Sequence, residues 1–278
     1  MENLRYFENR THALQTLDSE TPQVWYVEDE DLTLFTEYTE DNLEVTPLVD
    51  TENNIYLKVK VLYKGLKFTS IGNSTIYMRN TGGNTPDMKY SLDGGETWTQ
   101  WDYSEISLTD NQNVCFKGNN PNGFSTGTTY SRFRLSGQLN VSGNIMSLLD
   151  DGTCDTLVIP STYCFYMLFY NCSALTTAPE LPATTLTEYC YYDMFHGCTG
   201  LVNGPTLPAH ILTSVCYMNM FYGCTSLTNL TCLGTTKEAT SIRNWLSGIS
   251  TNGILYVDPS MISAAWNIPS TWTIQAIS

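Results

Sequence analysis

The sequence predicts a mainly β protein: an antiparallel β-sandwich module followed by a short solenoid of 26-residue repeats with a C-terminal cap. Three observations predict it. Six cysteines fall into pairs eight residues apart, Cys164/Cys172, Cys190/Cys198 and Cys216/Cys224, and each pair lies 26 residues from the next. From 55 to 150, apolar and polar residues alternate with period two in short runs broken by Gly, Asn and Asp. The charge is uneven: residues 1–60 carry 14 acids against four bases, 61–154 carry eight against seven, and 155–278 carry six against two. These breaks divide the chain into 1–54, 55–152 and 153–278.

Residues 1–54 have no clear period and read as an acidic arm or docking segment. Leu4, Phe7, Leu14 and Leu17 suit one face of a short helix, and Trp25, Val27, Leu32, Leu34 and Phe35 are apolar enough to dock on a partner. The acids at Glu28–Asp31 and Glu37–Glu44 lack the Asp-x-Asp-x-Asp-Gly spacing of a calcium loop. A solvated acidic face and an arm that orders on another protein are the two readings left.

In the middle module, Ile55, Leu57, Val59, Val61 and Tyr63 alternate with Tyr56, Lys58, Lys60, Leu62 and Lys64, and Phe133 and Leu135 alternate with Arg132 and Arg134. Short alternating runs between turn residues predict antiparallel strands. Asp93-Gly94, between Met88–Leu92 and Thr97–Trp101, predicts a type I′ hairpin. Ser91-x-Asp93-x-Gly95-x-Thr97-Trp98 also resembles the Asp-box of sialidase-like propellers. A propeller needs one such box per blade, and a single box is a turn device without catalytic meaning.

The repeats span 155–180, 181–206 and 207–232. Cys164, Cys190 and Cys216; Phe169, Phe195 and Phe221; Cys172, Cys198 and Cys224; and Leu175, Leu201 and Leu227 are identical columns, with Leu168, Met194 and Met220 a fifth apolar one. A 26-residue unit cannot close a core alone, so stacked units bury these columns against one another, as in a leucine-rich-repeat solenoid. Trp245, Leu246, Gly248 and Ile249 echo Met220, Phe221, Gly223 and Cys224 at a spacing of 25, which makes 233–278 a degenerate cap containing Trp245, Trp266 and Trp272.

Composition excludes several classes. A net charge of −15 and a pI near 4.4 do not suit nucleic acid, whose phosphates need clustered Lys and Arg. No stretch approaches the roughly 18 apolar residues of a membrane span. The cysteines admit three readings: zinc ligands, a disulfide framework, or small buried hydrophobes. Zinc knuckles need Cys-x₂₋₄-Cys, stacked equivalents have parallel Cβ vectors, and a total of nine leaves one over. The buried-hydrophobe reading is preferred.

No reaction is legible. His12, His196 and His210 are the only histidines, and there is no Gly-x-Ser-x-Gly or Gly-x₄-Gly-Lys-Ser/Thr. Carboxylates in the repeats are confined to Asp155, Glu180, Glu188 and Asp193, which leaves little for a glycosidase pair. No catalytic residue, cofactor or metal ligand is assigned. The variable outward columns, Tyr170, Tyr192, His196, Asn219 and Tyr222, are the candidate contact surface, since tyrosine stacks on sugars and is common at interfaces.

Leu181-Pro-Ala-Thr-Thr-Leu-Thr-Glu-Tyr-Cys-Tyr-Tyr-Asp-Met-Phe-His-Gly-Cys-Thr-Gly-Leu201 and its copies resemble the BspA-like leucine-rich repeats of Bacteroidales bacteria and their bacteriophages. Tyr90–Trp98, Phe116–Phe124 and Asn140–Leu149 resemble a β-module that precedes such repeats, so the likeness covers about 55–278. The resemblance implies architecture more than activity. Bacterial members are surface adhesins that carry a leader, and none is visible at the start of this sequence. The expectation is therefore a non-enzymatic virion structural protein: a head or tail fibre, or a decoration protein. It would be homo-oligomeric, held to other virion proteins through residues 1–54, with the repeat facing a host-surface glycan or protein. The alternative is a bacterial cell-surface adhesin whose leader is absent from this sequence.

Overall fold

The computed structural model describes residues 63–277 and, ahead of them, the backbone of four strands. The chain divides into two compact units, 1–64 with 94–97, and 65–93 with 98–278. The described residues are β strands and turns, with two short 3₁₀ turns, Ile145–Leu148 and Pro259–Met261.

In the first unit, β1 (Leu4–Tyr6), β2 (Gln23–Tyr26), β3 (Leu43–Val49) and β4 (Ile55–Val61) form one sheet in the order β1-β2-β4-β3. The run at 55–61, expected to open the middle module, pairs here with β2 and β3. Pro47 lies on β3, an edge strand, the place in a sheet where proline is tolerated. The helix expected at Leu4–Leu17 and the contacts of the acidic runs lie outside the described residues, apart from the backbone of β1.

The second unit opens with β5 (Lys67–Thr81), β6 (Lys89–Ser91), β7 (Thr99–Gln100), β8 (Ile106–Leu108), β9 (Asn113–Lys117) and β10 (Tyr130–Ser142). Where the alternation predicted a sandwich, these six strands form one curled, antiparallel sheet, β10-β5-β9-β6-β7 with β8 on β5. The curl has a local cause. β5 and β10 pair along almost their whole length but slip register between Ser136 and Gln138, and a bulge of this kind bends a strand. Gly137 sits there at φ +71, its absent Cβ 2.3 Å from the Asn73 carbonyl, so the bulge admits only glycine without a shift.

The β6–β7 hairpin forms at the Asp-box, but not as a two-residue turn. Its loop runs from 92 to 98, with Gly94 and Gly95 at positive φ while Asp93 is not, so Asp93-Gly94 is not the type I′ pair the dipeptide predicted. The Ser91 hydroxyl donates to Asp93 Oδ1 at 2.5 Å, and the Lys117 ammonium lies 4.8 Å from the Trp98 ring centre.

The apolar face of the sheet, including Phe68, Ile76, Phe116 and Phe133, joins a core continuous with that of the repeats. The joint is β10 itself. The Phe133 N–H donates to the Leu168 carbonyl as the Phe169 N–H donates to Met194, and Phe133 stacks on Phe169 at 5.5 Å. β10 is thus the rung on which the repeats are laid.

Each repeat is held by a run of turns in which the amides divide their work. From 165 to 171, the odd-numbered N–H groups donate to the next unit: Phe165 to Cys190, Met167 to Tyr192, Phe169 to Met194 and Asn171 to His196, at 2.7–3.1 Å. The even-numbered ones donate three residues back, Leu168 to Phe165 and Cys172 to Phe169 among them. In these two turns the third residue is Met167 or Asn171, both at the positive φ that a type II turn requires. Gly197 and Gly223 fill the Asn171 position in the next two units. Side chains then point in and out two at a time, Cys164-Phe165 in, Tyr166-Met167 out, Leu168-Phe169 in, giving a period of four.

The inward columns stack across the units. Phe169, Phe195 and Phe221 lie 5.3 and 5.5 Å apart with rings within 5° of parallel. All nine cysteines are thiols; eight are buried, and six of these, Cys164, Cys190, Cys216, Cys172, Cys198 and Cys224, occupy two of the inward columns. The second cysteine of each unit does more than fill space. Cys172, Cys198 and Cys224 donate S–H to the carbonyls of Phe133, Phe169 and Phe195 in the unit before, at 3.3, 3.0 and 3.0 Å. The Phe169 and Phe195 carbonyls also accept from the Cys172 and Cys198 N–H groups, so at these two positions the thiol is a second donor that ties one unit to the next.

Phe165, Tyr191 and Tyr217 form another core column, 5.8 and 6.0 Å apart. The Tyr191 hydroxyl is buried with no hydrogen-bond partner, while the unit before has phenylalanine in its place. Tyr191→Phe is expected to stabilise the protein by about 1 kcal/mol, since it removes an unsatisfied buried group. Calorimetry would read this as a Tm rise of about 2–4 °C, and a fall in Tm would refute it.

The outer strands β11 (Asn203–Leu207), β12 (Ile211–Leu212), β13 (Asn229–Cys232), β14 (Thr236–Lys237), β15 (Ile254–Val257) and β16 (Thr273–Ala276) form parallel ladders, β11-β13-β15-β16 and β12-β14. At the end, Trp245 takes the position that Met220 holds one unit earlier, accepting at its carbonyl from the Phe221 N–H. The indoles of Trp245, Trp266 and Trp272 donate to Trp266, Met261 and Ser250 carbonyls, so three large rings cover the last unit with their polar edges satisfied.

A candidate contact surface of stacked tyrosines

The outward positions of the turn runs assemble into aromatic columns. Tyr170, His196 and Tyr222 form one, with ring centres 4.7 and 4.8 Å apart. Tyr192 belongs to a second: it stacks on Tyr166 at 5.3 Å, and Tyr166 meets Tyr130 of β10 edge-on at 5.3 Å. Tyr163 and Tyr189 make a third, 4.4 Å apart and within 11° of parallel. Tyr163 touches Tyr166 and Tyr189 touches Tyr192, which joins the second and third columns into one face. These rings are partly exposed, and Tyr222 is 42% exposed.

The fifth candidate sits differently. Asn219 occupies the positive-φ position shared with Met167 and Asp193, and its side chain hydrogen-bonds Asp193. Asp193 is only 5% exposed and lies 2.9 Å from His196 Nδ1. Burial pushes the Asp193 carboxyl up, while the His196 and Asn219 hydrogen bonds pull it back. Asp193 and Asn219 therefore brace the His196 column from beneath.

Tyr163, Tyr166 and Tyr192 hold their phenol protons more tightly than a free tyrosine does. Burial, followed by the Asp193 charge, pushes Tyr166 to about 12, and burial followed by Tyr189 raises Tyr163. A neutral phenol offers an apolar ring and an O–H that both donates and accepts, which suits a sugar better than it suits acid–base chemistry. Among the described residues no three His, Cys, Asp or Glu side chains are gathered as metal ligands. No helix among them is long and apolar enough to cross a membrane.

Sequence reasoning chose Tyr170, Tyr192, His196, Asn219 and Tyr222 and missed Tyr130, Tyr163, Tyr166, Tyr189 and Arg132. The tyrosine pairs at a spacing of 26, 163/189 and 166/192, were the available signal. Tyr130 and Arg132 gave none, because β10 stands outside the repeat period.

Compared with known proteins, the chain matches no family model, no curated protein and no solved structure.

Proposed function

We propose that this chain is a non-enzymatic structural protein of a bacteriophage particle, a fibre or a decoration protein. In this reading the 26-residue units are a BspA-like leucine-rich-repeat solenoid, and their tyrosine face contacts a glycan on the host surface. The first unit, with most of the acidic charge, holds the chain to other virion proteins, and several copies assemble together. One observation carries the binding role: the partly exposed aromatic columns of the repeat stack, two of them joined through Tyr163–Tyr166 and Tyr189–Tyr192 and a third formed by Tyr170, His196 and Tyr222. The resemblance of 55–278 to BspA-like modules and repeats supports the particle role.

Particles purified on a density gradient, digested and analysed by mass spectrometry, test the assignment. Peptides of this chain are expected to co-sediment with capsid protein. Their recovery in a bacterial outer-membrane fraction, with none in particles, would overturn it in favour of the adhesin.

A further inference from the structure

The outer face of the β5–β10 pair carries three arginines. Arg132 stands directly opposite Arg79, and Arg134, two residues along on the same face, stands opposite Tyr77. Like charges directly across an antiparallel pair destabilise it. The alternate, inward positions of β10, Ser131 and Phe133, are the buried ones, so packing does not call for the arginines. Among the described residues none of the three has an ion-pair partner; the pairs found are Lys89 and Lys117 with Asp151, and His196 with Asp193. In a chain with 28 acids and 13 bases, such a concentration of unneutralised guanidinium groups needs a cause.

Arg132 is the informative member. Its Nε is buried without a hydrogen-bond partner. Its guanidinium lies 5.9 Å from the Tyr130 ring centre and 5.6 Å from that of Tyr170, the first rings of two of the tyrosine columns. Burial, then the Arg134 charge, lowers its pKa, which is the signature of a cation pressed among rings and like charges. An arriving anion would relieve both.

We propose that Arg79, Arg132 and Arg134 bind the carboxylate of an acidic sugar whose ring rests on the adjoining tyrosines, which makes the ligand of this face a uronic-acid polysaccharide. The inference rests on the tyrosine face being a glycan-contact surface and names the class of glycan. The guanidinium fork matches a carboxylate in bidentate geometry, and an arginine already stacked on rings has lost much of the freedom that binding would cost. Asp193, the carboxylate beneath the columns, does not oppose an anion strongly, being covered and bonded to His196 and Asn219.

The test uses the full chain, with arginine Nε–H signals followed by NMR and affinity measured by calorimetry. The probes are hexagalacturonate, its carboxyl-reduced neutral counterpart, and inorganic phosphate. Hexagalacturonate is expected to move the Arg132 Nε–H signal and to bind at least tenfold more tightly than the neutral hexasaccharide. Raising salt from 50 to 200 mM should weaken it. Arg132→Gln and Arg134→Gln should each cut affinity about tenfold with unchanged circular dichroism, and Lys237→Gln should leave it unaltered. Equal affinity for the neutral sugar, indifference to Arg132→Gln, or no uronate binding would each overturn the proposal. Phosphate matching hexagalacturonate would overturn it too, marking a general anion site. Uronate binding by a chain missing from particles sinks only the particle role; particle location without uronate binding sinks only this inference.

Discussion

Between pH 8 and pH 10 the repeat stack is expected to lose most or all of its stability. Burial pushes the thiols of Cys164, Cys172, Cys216, Cys224 and Cys232 up to about 12 and those of Cys190 and Cys198 well above the ordinary 9.0. In the unfolded chain the same groups ionise near 9. A folded pKa above the unfolded one contributes stability that is complete below the unfolded pKa and is lost as pH rises through the folded one. Above pH 9 the unfolded chain has released protons the folded chain still holds, so each thiol withdraws roughly 1–1.5 kcal/mol per pH unit. Seven acting together withdraw on the order of 10 kcal/mol within the first full unit, comparable to the whole stability of a domain. Urea titrations at pH 8, 9 and 10 check this. The midpoint should fall steeply across the series, and an equal midpoint at pH 8 and 10 would refute it.

Phe195→Ala is expected to cost about 3–5 kcal/mol, the range for removing a fully buried phenylalanine. Phe195 has no exposed surface and is clasped between Phe169 at 5.3 Å and Phe221 at 5.5 Å. The substitution removes two ring contacts and leaves a void that rigid neighbouring turns cannot fill. Repeat units touch only their neighbours, so the damage falls at one interface of a nearly one-dimensional stack. Urea unfolding should show a lowered midpoint, with a second transition where the two sides uncouple. A loss below about 1 kcal/mol would mean that the aromatic column does not hold the units together.

What was legible in the sequence was what repeats without interruption. The columns headed by Cys164, Phe169, Cys172 and Leu175 could be read from their spacing, and they stack at that spacing in the fold. Phe133 could not: it lies 36 residues before Phe169 and has no accompanying cysteine pair, yet it completes the same column. The local conformation was also hidden, because 163–172 obeys neither the period of two nor that of 3.6. Its period of four arises from turns that need positive φ at Tyr163, Met167 and Asn171, residue types that do not advertise it. The alternation at 55–61 identified a strand but not its partners, since alternation gives a face and not a neighbour. The single curled sheet depends on a slip of register at Ser136/Gln138, which composition does not encode. At the candidate surface, the tyrosines in variable columns were visible, whereas Arg79 and Arg132 meet only through cross-strand register.

The division of labour among the backbone amides has a consequence for how such a protein changes over generations. Every unit hands the same donors to its successor and offers the same carbonyls to its predecessor, while β10 closes one end and the tryptophans close the other. Duplication or deletion of one 26-codon block would leave both closures undisturbed. The tyrosine face would then grow or shrink by about 5 Å per copy, so its reach across a surface can be reset by recombination, without a single new side chain.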